Sequence, residues 1–264
     1  MTFTGGDVYQ FSFEPRDYLT SFCSFGKGRD DILNFRLQKC FEAFKSGPDG
    51  DLGGDVLIDI GTGPSIYQLL SACQAFKSII ATDFTDKNRQ ELEKWLKREP
   101  GAYDWSDFSK VVCELEGDRE KWREKEEKLR STIKHVLRCD VTKSNPLDPL
   151  VISPVDGVIS TLCLETACKD INNYRSALRN ITSLLKPGGH LVLIGVLGDS
   201  FYKVGQQTFF CLPLDAQTVR GTVEDAGYTI KEMDVFLIPD VASHLDITDS
   251  YGNFFLVARK EAQD

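Results

Sequence analysis

The stretch Leu57–Ala72, LIDIGTGPSIYQLLSA, reads as a buried strand that breaks at two glycines and restarts as a helix. Gly61 and Gly63 permit a tight turn and a close approach of the backbone to a ligand. A dinucleotide-binding turn has a third glycine, and here Ile66 stands in its place. The stretch therefore predicts an α/β fold in which this turn holds a ligand other than a dinucleotide.

Further apolar runs follow along the chain, each separated from the next by a helical segment. With the first strand they span residues 56–60, 78–84, 136–141, 155–162 and 190–197. Strands that alternate with helices predict a parallel sheet joined by right-handed crossovers. Two C-terminal runs, 229–238 and 253–260, predict an antiparallel pair at the edge of this sheet.

Helical segments are predicted at the N-terminus and in a long insertion. Residues 14–45 read as one short and one longer helix, followed by the turn-rich stretch 45–55. A highly charged insertion, at about residues 87–134, lies between the second and third strands. Its acids and bases interleave, which is typical of a solvated helix face. Its second half repeats apolar residues as an amphipathic helix does, at Trp122, Leu129, Ile133 and Val136.

Composition narrows the possible partners. The 264 residues, 41% of them apolar and 27% charged, are typical of a single globular domain. A net charge of −9 without a basic block disfavours nucleic acid as a partner. The N-terminus lacks a signal-peptide pattern, and no window approaches the roughly 18 apolar residues of a membrane helix. We therefore expect neither secretion nor a membrane partner.

The cysteine and histidine pattern bears on metals and on cellular location. Eight cysteines occur at irregular positions without a CxxC pair, and the three histidines lie far apart. This pattern disfavours zinc and disulfides and favours reduced thiols, as in the cytosol. We expect a cytoplasmic monomer that binds no metal.

Two acidic residues follow the predicted strands nearest to the glycine turn. Asp83 ends the second strand roughly 20 positions after Gly61, where a carboxylate can accept both ribose hydroxyls of an adenosine. Asp140 ends the third strand, where it can accept from the exocyclic amino group of adenine. In an open parallel sheet these strand ends meet at one edge. The set predicts a site for adenosine without phosphates, and S-adenosylmethionine is the best candidate.

Long motifs identify a resemblance at this point. The chain resembles the family of nicotinamide, indolethylamine and phenylethanolamine N-methyltransferases from about residue 13 to residue 260. The resemblance rests on FEPRDYL (13–19), LIDIGTGPSIYQLLSAC (57–73), NRQELEKWLKREPGAYDW (88–105), CELEG (113–117), EKEEKLR (124–130), LRCDV (137–141) and LLKPGGHLVLIG (184–195).

The resemblance implies an architecture for the whole chain. It implies a Rossmann-like, seven-stranded mixed sheet with a reversed last strand, flanked by helices and covered by an N-terminal helical lid. Residues 1–264 would form a single methyltransferase domain, with 1–50 as the lid and first helices. Residues 51–264 would form the core.

The resemblance also implies the residues that bind S-adenosylmethionine and its product S-adenosylhomocysteine. Tyr18 would close over the cofactor, while the glycine turn and Tyr67 would contact its methionine part. The remaining contacts would fall on the ribose, the adenine and the sulfonium. The expected cofactor-binding residues are Tyr18, Cys23, Gly61, Thr62, Gly63, Tyr67, Asp83, Phe84, Asn88, Asp140, Val141 and Thr161.

Three positions depart from the family pattern. Relatives have tyrosines where this chain has Phe22 and Cys23. Phe22 can still stack on an aromatic substrate, whereas a thiol donates a weaker hydrogen bond than a phenol to the cofactor carboxylate. The nicotinamide enzyme has an aspartate that holds the carboxamide where this chain has Gly195. That difference disfavours nicotinamide.

Two segments, TLCLETA (161–167) and LIGVLGDSFYKVG (193–205), most resemble the phenylethanolamine enzyme, which holds its substrate amine with one acid in each. The matching acids are Glu165 and Asp199. Asp199 is one methylene shorter than the family glutamate, so its contact is either direct or through water. With Tyr18 of the lid, these acids are the expected catalytic residues. The expected substrate-binding residues are Phe22, Leu162, Glu165, Gly195, Asp199, Tyr202 and Cys211.

We therefore interpret the chain as an S-adenosylmethionine-dependent N-methyltransferase that acts on a small amine of the arylalkylamine type. An alkylamine is mostly protonated at neutral pH, so the acid pair would bind the ammonium and then remove a proton. The alternatives are a nicotinamide or pyridine N-methyltransferase, a thioether S-methyltransferase and a non-catalytic cofactor-binding protein. Both acids also have a purely structural interpretation: Glu165 could cap the helix that follows it, and Asp199 could be a turn residue.

Overall fold

The computed structural model describes residues 2–45 and 51–262, so part of the turn predicted at 45–55 lies outside the described residues. A seven-stranded sheet forms its centre, and a separate two-stranded hairpin lies beside it. The strands are β1 Gly54–Ile60, β2 Phe76–Asp83, β3 Ile133–Arg138, β4 Val155–Thr161, β5 Leu185–Leu197, β6 Phe201–Val204, β7 Gln207–Phe210, β8 Tyr228–Leu237 and β9 Gly252–Lys260.

The strand order of the large sheet is β3-β2-β1-β4-β5-β9-β8. The first five strands in this order are mutually parallel, which confirms the predicted crossovers. The last strand, β9, runs antiparallel to both β5 and β8. The predicted antiparallel edge pair and the reversed last strand are therefore confirmed. The order reverses between β1 and β4, and the turn after β1 opens at that point.

Helices cover both faces of the sheet. They are α1 Gly6–Ser12, α2 Pro15–Phe22, α3 Asp30–Phe44, α4 Ala72–Ala75, α5 Asp86–Leu96, α6 Ser106–Leu115, α7 Trp122–Thr132, α8 Leu164–Ala167, α9 Ile171–Thr182 and α10 Ala216–Asp225. Successive strand residues alternate between two apolar cores, as the pleat requires. Leu57 packs in the core with α3, α5, α6 and α7, whereas Ile58 packs in the core with α9 and α10.

The helix predicted directly after the glycine turn is not continuous. The chain forms a short 3₁₀ helix, Tyr67–Leu69, and then the four-residue α4. The amide of Gln68 explains the difference, since its Nε2 donates to the carbonyls of Thr62 (3.3 Å) and Ser65 (3.2 Å) and to the carboxylate of Asp59 (2.9 Å). A buried side chain thus satisfies backbone groups that a regular helix would have used.

The amphipathic helix predicted in the insertion ends earlier than expected. Helix α7 includes Trp122 and Leu129, but Ile133 and Val136 belong to β3. Both of these residues pair with β2, opposite Ile79 and Ala81 respectively. A spacing of three is helical and would place the two side chains on opposite faces of a regular strand. The pairing with β2 shifts by one residue between Ile133 and His135, so that both residues lie opposite the same face of β2. Three helices, α5, α6 and α7, lie within the predicted insertion.

The two N-terminal helices predicted from residues 14–45 are confirmed as α2 and α3, and a third, α1, precedes them. The hairpin of β6 and β7 was not predicted, because each strand has only four residues. Among the described residues, no helix combines the length and the apolar composition needed to cross a bilayer.

Candidate active site

A cavity of about 320 Å³ opens at the carboxyl ends of the parallel strands. The turns after β1, β2, β3, β4 and β5 line it on the sheet side, and the N-terminal segment with α1 and α2 lines it on the other. This is where open α/β sheets bind ligands. The lining brings together most of the residues that the sequence predicts for the site.

The glycine turn after β1 depends on two left-handed residues. Gly61 has φ +71°, and a Cβ there would lie 2.2 Å from Sγ and 2.6 Å from Cβ of Cys163. Gly63 has φ +65°, and a Cβ there would meet no atom of the described residues within 4 Å. The first glycine is therefore required by packing against the β4–α8 turn, whereas the second leaves open space beside the cavity.

The carboxylate of Asp83, at the end of β2, organises this region. It accepts hydrogen bonds from Gly63 N (2.9 Å), Thr85 N (2.8 Å) and Asn88 Nδ2 (3.0 Å). Burial raises the pKa of Asp83, although these hydrogen bonds oppose the shift. The side chain ties the glycine turn to the start of α5 and also lines the cavity. It can therefore receive ligand hydroxyls only through lone pairs that these donors leave free.

The predicted adenine-facing residues lie at the next strand ends. Asp140 does not end β3 as predicted but lies in the turn two residues beyond it, where its Oδ1 accepts from Thr142 N (3.0 Å) and Oγ1 (2.6 Å). Phe84, Asp140 and Val141 all line the cavity. The guanidinium of Arg138 lies 5.2 Å from the centre of the Phe84 ring.

Buried polar atoms without partners mark where a ligand would bond. Oγ1 of Thr161, at the end of β4, and Oδ1 of Asn88 are buried and have no hydrogen-bond partner among the described residues. Both side chains line the cavity. Unpaired buried polar groups are costly, so a ligand with hydrogen-bonding groups at both places fits this cavity. S-adenosylmethionine has such groups on its ribose and methionine parts.

The two tyrosines predicted to bind the cofactor, Tyr18 and Tyr67, also line the cavity. The ring of Tyr18 stacks on Phe22, with 5.2 Å between centroids. The hydroxyl of Tyr67 accepts from Nη1 of Arg36 at 3.4 Å. Cys23, predicted as a cofactor contact, is not part of the lining, because it caps α2 with its side chain buried in the core beneath. Burial raises the pKa of its thiol to about 12.

Glu165 also lines the cavity, near the start of the short helix α8. Its carboxyl group is buried, and its Oε1 accepts from Val196 N at 3.2 Å. Among the described residues, no lysine or arginine forms an ion pair with it. Burial therefore raises its pKa to about 7. A carboxyl group with this pKa can both accept and release a proton near neutral pH.

Asp199, in the turn after β5, is the second predicted acid in the cavity wall. Its Oδ1 accepts from Oγ1 of Thr248 at 2.7 Å. Burial and contact with the carboxyl group of Asp249 raise its pKa to about 7. Burial alone would also raise the pKa of Asp249, but hydrogen bonds from Ser200 lower it. Asp199 is therefore the member of this carboxyl pair that retains a proton more readily.

Cys211 lies in the same part of the lining as the two acids. Burial raises the pKa of its thiol, and the negative charges of Glu165 and Asp199 add to the shift. Leu162 and Tyr202, also predicted to bind substrate, complete this part of the lining. The backbone of Leu162 has φ +54°, a strained conformation for a non-glycine residue that is often found at functional sites.

Gly195 is the second predicted contact that does not line the cavity. It lies in β5 opposite Phe254, and a Cβ there would be 2.5 Å from the Phe254 ring and 3.0 Å from Oε1 of Glu165. Its missing side chain makes room first for the Phe254 ring and then for the Glu165 carboxyl group. A larger residue at this position would clash with Phe254 and crowd Glu165.

Several lining residues were not predicted. The hydroxyl of Tyr9 in α1 hydrogen-bonds to that of Tyr202. Two buried arginines, Arg29 and Arg36, also line the cavity. No sequence motif marks these two positions. The only signal was the presence of two arginines at and within a helix whose other residues are partly apolar. Others are Phe13, Cys139, Cys163, Thr248, Ser250 and Asn253.

The N-terminal segment covers the cavity by direct contacts with both sides. Oγ1 of Thr4 accepts from Phe210 N at 2.9 Å on the hairpin side, and Nε2 of Gln10 donates to Asp86 at 2.7 Å on the α5 side. Gly6 packs against the ring of Phe84, since a Cβ on Gly6 would lie 2.8 Å from Cζ. Residues 4–10 therefore bridge the cavity.

Replacement of Gly6 by alanine tests the role of this bridge. The added methyl group would push α1 away from Phe84, and overpacking of this kind costs about 1–3 kcal/mol. We expect the dissociation rate of S-adenosylhomocysteine, measured by stopped-flow displacement, to rise by about threefold to tenfold. Gly5→Ala is the matched control, because a Cβ on Gly5 meets nothing within 4 Å. Equal rates in both variants would contradict a bridging role.

Metal ligands are not assembled anywhere in the described residues: no group of three or more histidine, cysteine, aspartate or glutamate side chains could hold an ion. All eight cysteines are free thiols, and seven of them are buried.

Sequence comparisons match the whole chain to proteins of one family. The model of the NNMT/PNMT/TEMT family matches residues 1–261. Indolethylamine N-methyltransferase of Oryctolagus cuniculus is 50% identical over 262 residues, which cover 98% of this chain and 97% of that protein. Nicotinamide N-methyltransferase of Sus scrofa is 51% identical over 261 residues, with the same shares. Phenylethanolamine N-methyltransferase of Mus musculus is 42% identical over 258 residues, covering 94% of this chain and 85% of that protein.

Over the whole chain, the identity to the indolethylamine and nicotinamide enzymes is higher than to the phenylethanolamine enzyme. The two segments that contain Glu165 and Asp199 nevertheless most resemble the phenylethanolamine enzyme.

A comparison of folds adds a distant neighbour. Magnesium protoporphyrin IX methyltransferase from Synechocystis, solved with bound SAM, has a TM-score of 0.57 at 13% identity, covering 97% of this chain and 94% of that one. The fold is that of the methyltransferases that use this cofactor.

Proposed function

Because the chain belongs to the NNMT/PNMT/TEMT family, we propose that it transfers the methyl group of S-adenosylmethionine to the amine nitrogen of a small molecule. Arylalkylamines of the phenylethanolamine or indolethylamine type are the proposed acceptors. The observation that supports an amine is the pair of buried carboxyl groups, Glu165 and Asp199, which line one side of the cavity and both have a pKa raised to about 7.

The acid pair suits an acceptor that arrives protonated. An alkylammonium has no free lone pair at neutral pH, so it must lose a proton before it can accept a methyl group. The carboxylates of Glu165 and Asp199 bind the ammonium through charge-assisted hydrogen bonds, and one of them takes the proton. With a pKa of about 7, either group is ionised often enough to act as the base. A pyridine nitrogen needs no such base.

The remaining residues position the reactants. The cofactor, when bound, supplies a methyl group on a sulfonium that is already activated for displacement. The glycine turn and Asp83 hold the strand ends that face it, and Oγ1 of Thr161 is free to bond it. Tyr18 and Phe22 stack over the acceptor side, where they exclude water and align an aromatic ring. The acceptor nitrogen would attack the methyl carbon from the side opposite the sulfur, so that the N–C bond would form as the C–S bond breaks and S-adenosylhomocysteine would leave.

Nicotinamide is the second candidate acceptor, since the enzyme of that name from Sus scrofa is 51% identical. The position of Gly195 argues against it. The nicotinamide enzyme has an aspartate at this place, and here such a side chain would clash with the Phe254 ring and crowd the Glu165 carboxyl group. The eight free cysteines support the cytosol as the proposed location of the protein. We also propose that it acts as a monomer.

Labelled-methyl transfer from S-adenosylmethionine to matched acceptors tests the proposal. We expect turnover of tryptamine and phenylethanolamine, and at least tenfold lower kcat/KM with nicotinamide or dimethyl sulfide. Binding of S-adenosylhomocysteine is measured in parallel by calorimetry. Preference for nicotinamide would overturn the assignment of the acid pair. Tight cofactor binding without turnover of any acceptor in the panel would overturn the amine assignment and favour a non-catalytic protein.

A further inference from the structure

A buried arginine without an anionic partner lies in the same cavity. Arg29 precedes α3 and is only 8% exposed, yet its Nη2 has no hydrogen-bond partner among the described residues. No carboxylate of the described chain lies within 4 Å of it in an ion pair. Its guanidinium lies 4.6 Å from the centre of the Phe22 ring, and it lines the cavity.

A second guanidinium in the lining is, by contrast, well satisfied. Nε and Nη2 of Arg36 donate to Oδ1 of Asn253 at 3.0 and 2.5 Å, and Nη1 donates to the Tyr67 hydroxyl. The positive charge of Arg36 repels that of Arg29 and so disfavours the protonated form of Arg29. Together with burial it lowers the pKa of Arg29 to about 10, so that the side chain is still charged at neutral pH.

The cost of this arrangement indicates a missing anion. A buried charge without a partner is destabilising by several kcal/mol unless an opposite charge and further hydrogen bonds compensate. The nearest acids that favour the charged form of Arg29 are Asp199 and Asp246, and neither forms an ion pair with it. A planar guanidinium with free N–H groups, beside an open cavity, is suited to bidentate binding of a carboxylate.

We propose that Arg29 binds a carboxylate on the methyl acceptor, so that the preferred acceptors carry both an amine and a carboxylate. This inference rests on the proposed amine N-methyltransferase function. Phe22, which the Arg29 guanidinium covers, also packs edge-on against Tyr202, at 6.1 Å between centroids. Arg29 thus lies on the side of the cavity that contains Asp199. The amine would be held by the acid pair and the carboxylate by Arg29.

A cofactor carboxylate is the other possible source of the anion. The position of Arg36 makes that source the weaker one for Arg29. Arg36 donates to the hydroxyl of Tyr67, in the 3₁₀ helix that follows the turn after β1, and it is therefore the cation better placed for the methionine part of a cofactor. The experiment therefore has to measure acceptor and cofactor affinities separately.

Matched acceptors that differ only by a carboxylate provide the test. L-tryptophan is compared with tryptamine, and L-phenylalanine with phenylethylamine, by labelled-methyl transfer in the whole protein. We expect the wild-type kcat/KM to be at least tenfold higher for the carboxylated member of a pair. In Arg29→Gln the ratio should fall by at least tenfold, while Arg29→Lys should retain part of it.

The control is Arg220→Gln, since Arg220 lies on α10 with about half of its side chain exposed and is not in the cavity lining. Dissociation constants for S-adenosylhomocysteine are measured by calorimetry in all variants. Wild-type preference for tryptamine over L-tryptophan would overturn the proposal, as would an equal loss on both acceptors in Arg29→Gln. A tenfold loss of S-adenosylhomocysteine affinity with an unchanged acceptor ratio would assign Arg29 to the cofactor instead. Absence of transfer to every amine would refute the proposed function itself.

Discussion

Gly61→Ala is expected to weaken the binding of S-adenosylmethionine strongly and to destabilise the fold. An alanine at this position would adopt φ +71°, which costs about 1–2 kcal/mol for a residue with a Cβ. Its methyl group would also lie 2.2 Å from Sγ of Cys163, and overpacking adds about 1–3 kcal/mol. We expect a loss of at least 30-fold in cofactor affinity by calorimetry. The melting temperature should fall by about 5 °C or more.

Gly117→Ala measures the cost of a positive φ alone, without a steric clash. Gly117 has φ +96° in the exposed turn after α6, and a Cβ there would meet nothing within 4 Å. It should lower the melting temperature by less than Gly61→Ala and leave cofactor affinity unchanged. Because the clash involves one side chain, Gly61→Ala combined with Cys163→Gly should regain part of the lost stability, as a double-mutant cycle would measure. Equal effects of the two single alanine variants would contradict the packing argument.

The sheet could be predicted from the sequence because its strands have a strong local signal. Apolar runs such as 155–162 and 190–197 have no competing helical interpretation at their length. The ends were less certain. Ile133 and Val136 have a helical spacing, and only a shift in the register of β3 against β2 places both on one face of the strand. The hairpin of β6 and β7 is too short to be distinguished from loop by pattern.

The candidate site divides in a similar way. The glycine turn and Asp83 follow from position at strand ends, a property of the fold that a sequence can reveal. Arg29 and Arg36 do not, because the burial of a charged residue depends on how α2 and α3 close over the sheet. Cys23 was predicted as a cofactor contact but does not line the cavity, for a related reason. The resemblance specifies its position at the end of α2, whereas the packing of α2 places its side chain in the core.

Substitution of the acid pair is expected to have the largest effect on catalysis. Glu165→Gln keeps the shape of the side chain and its bond from Val196 N but removes one of the two groups that can act as the base. General-base catalysis contributes about 10²–10⁴ in rate, so kcat/KM for an alkylamine should fall by at least 100-fold at pH 7. Asp199→Asn should cost at least tenfold. Glu114→Gln, an exposed change on α6, is the control. Unchanged turnover of an amine in both acid variants would refute the base assignment.

The pH dependence supplies an independent check on Glu165, in activity and in stability. Wild-type kcat/KM should rise through pH 7 as the acids ionise. Stability should change in the opposite direction. Burial raises the pKa of Glu165 from 4.5 to about 7, so between these values the folded protein binds more protons than the unfolded chain. The free energy of unfolding then decreases as pH rises through this window.

Glu165→Gln removes that decrease, because an amide does not ionise. The variant should therefore be more stable than wild type at pH 8 by about 1–3 kcal/mol, as measured by urea denaturation, although it is far less active. At pH 4, where Glu165 is protonated in both states, the two proteins should differ little. A buried base lowers the free energy of unfolding at the pH where it is ionised. A residue whose role was only to cap α8 would not need to be buried in this way. Lower stability of Glu165→Gln at pH 8 would contradict the buried, ionisable role of this carboxyl group.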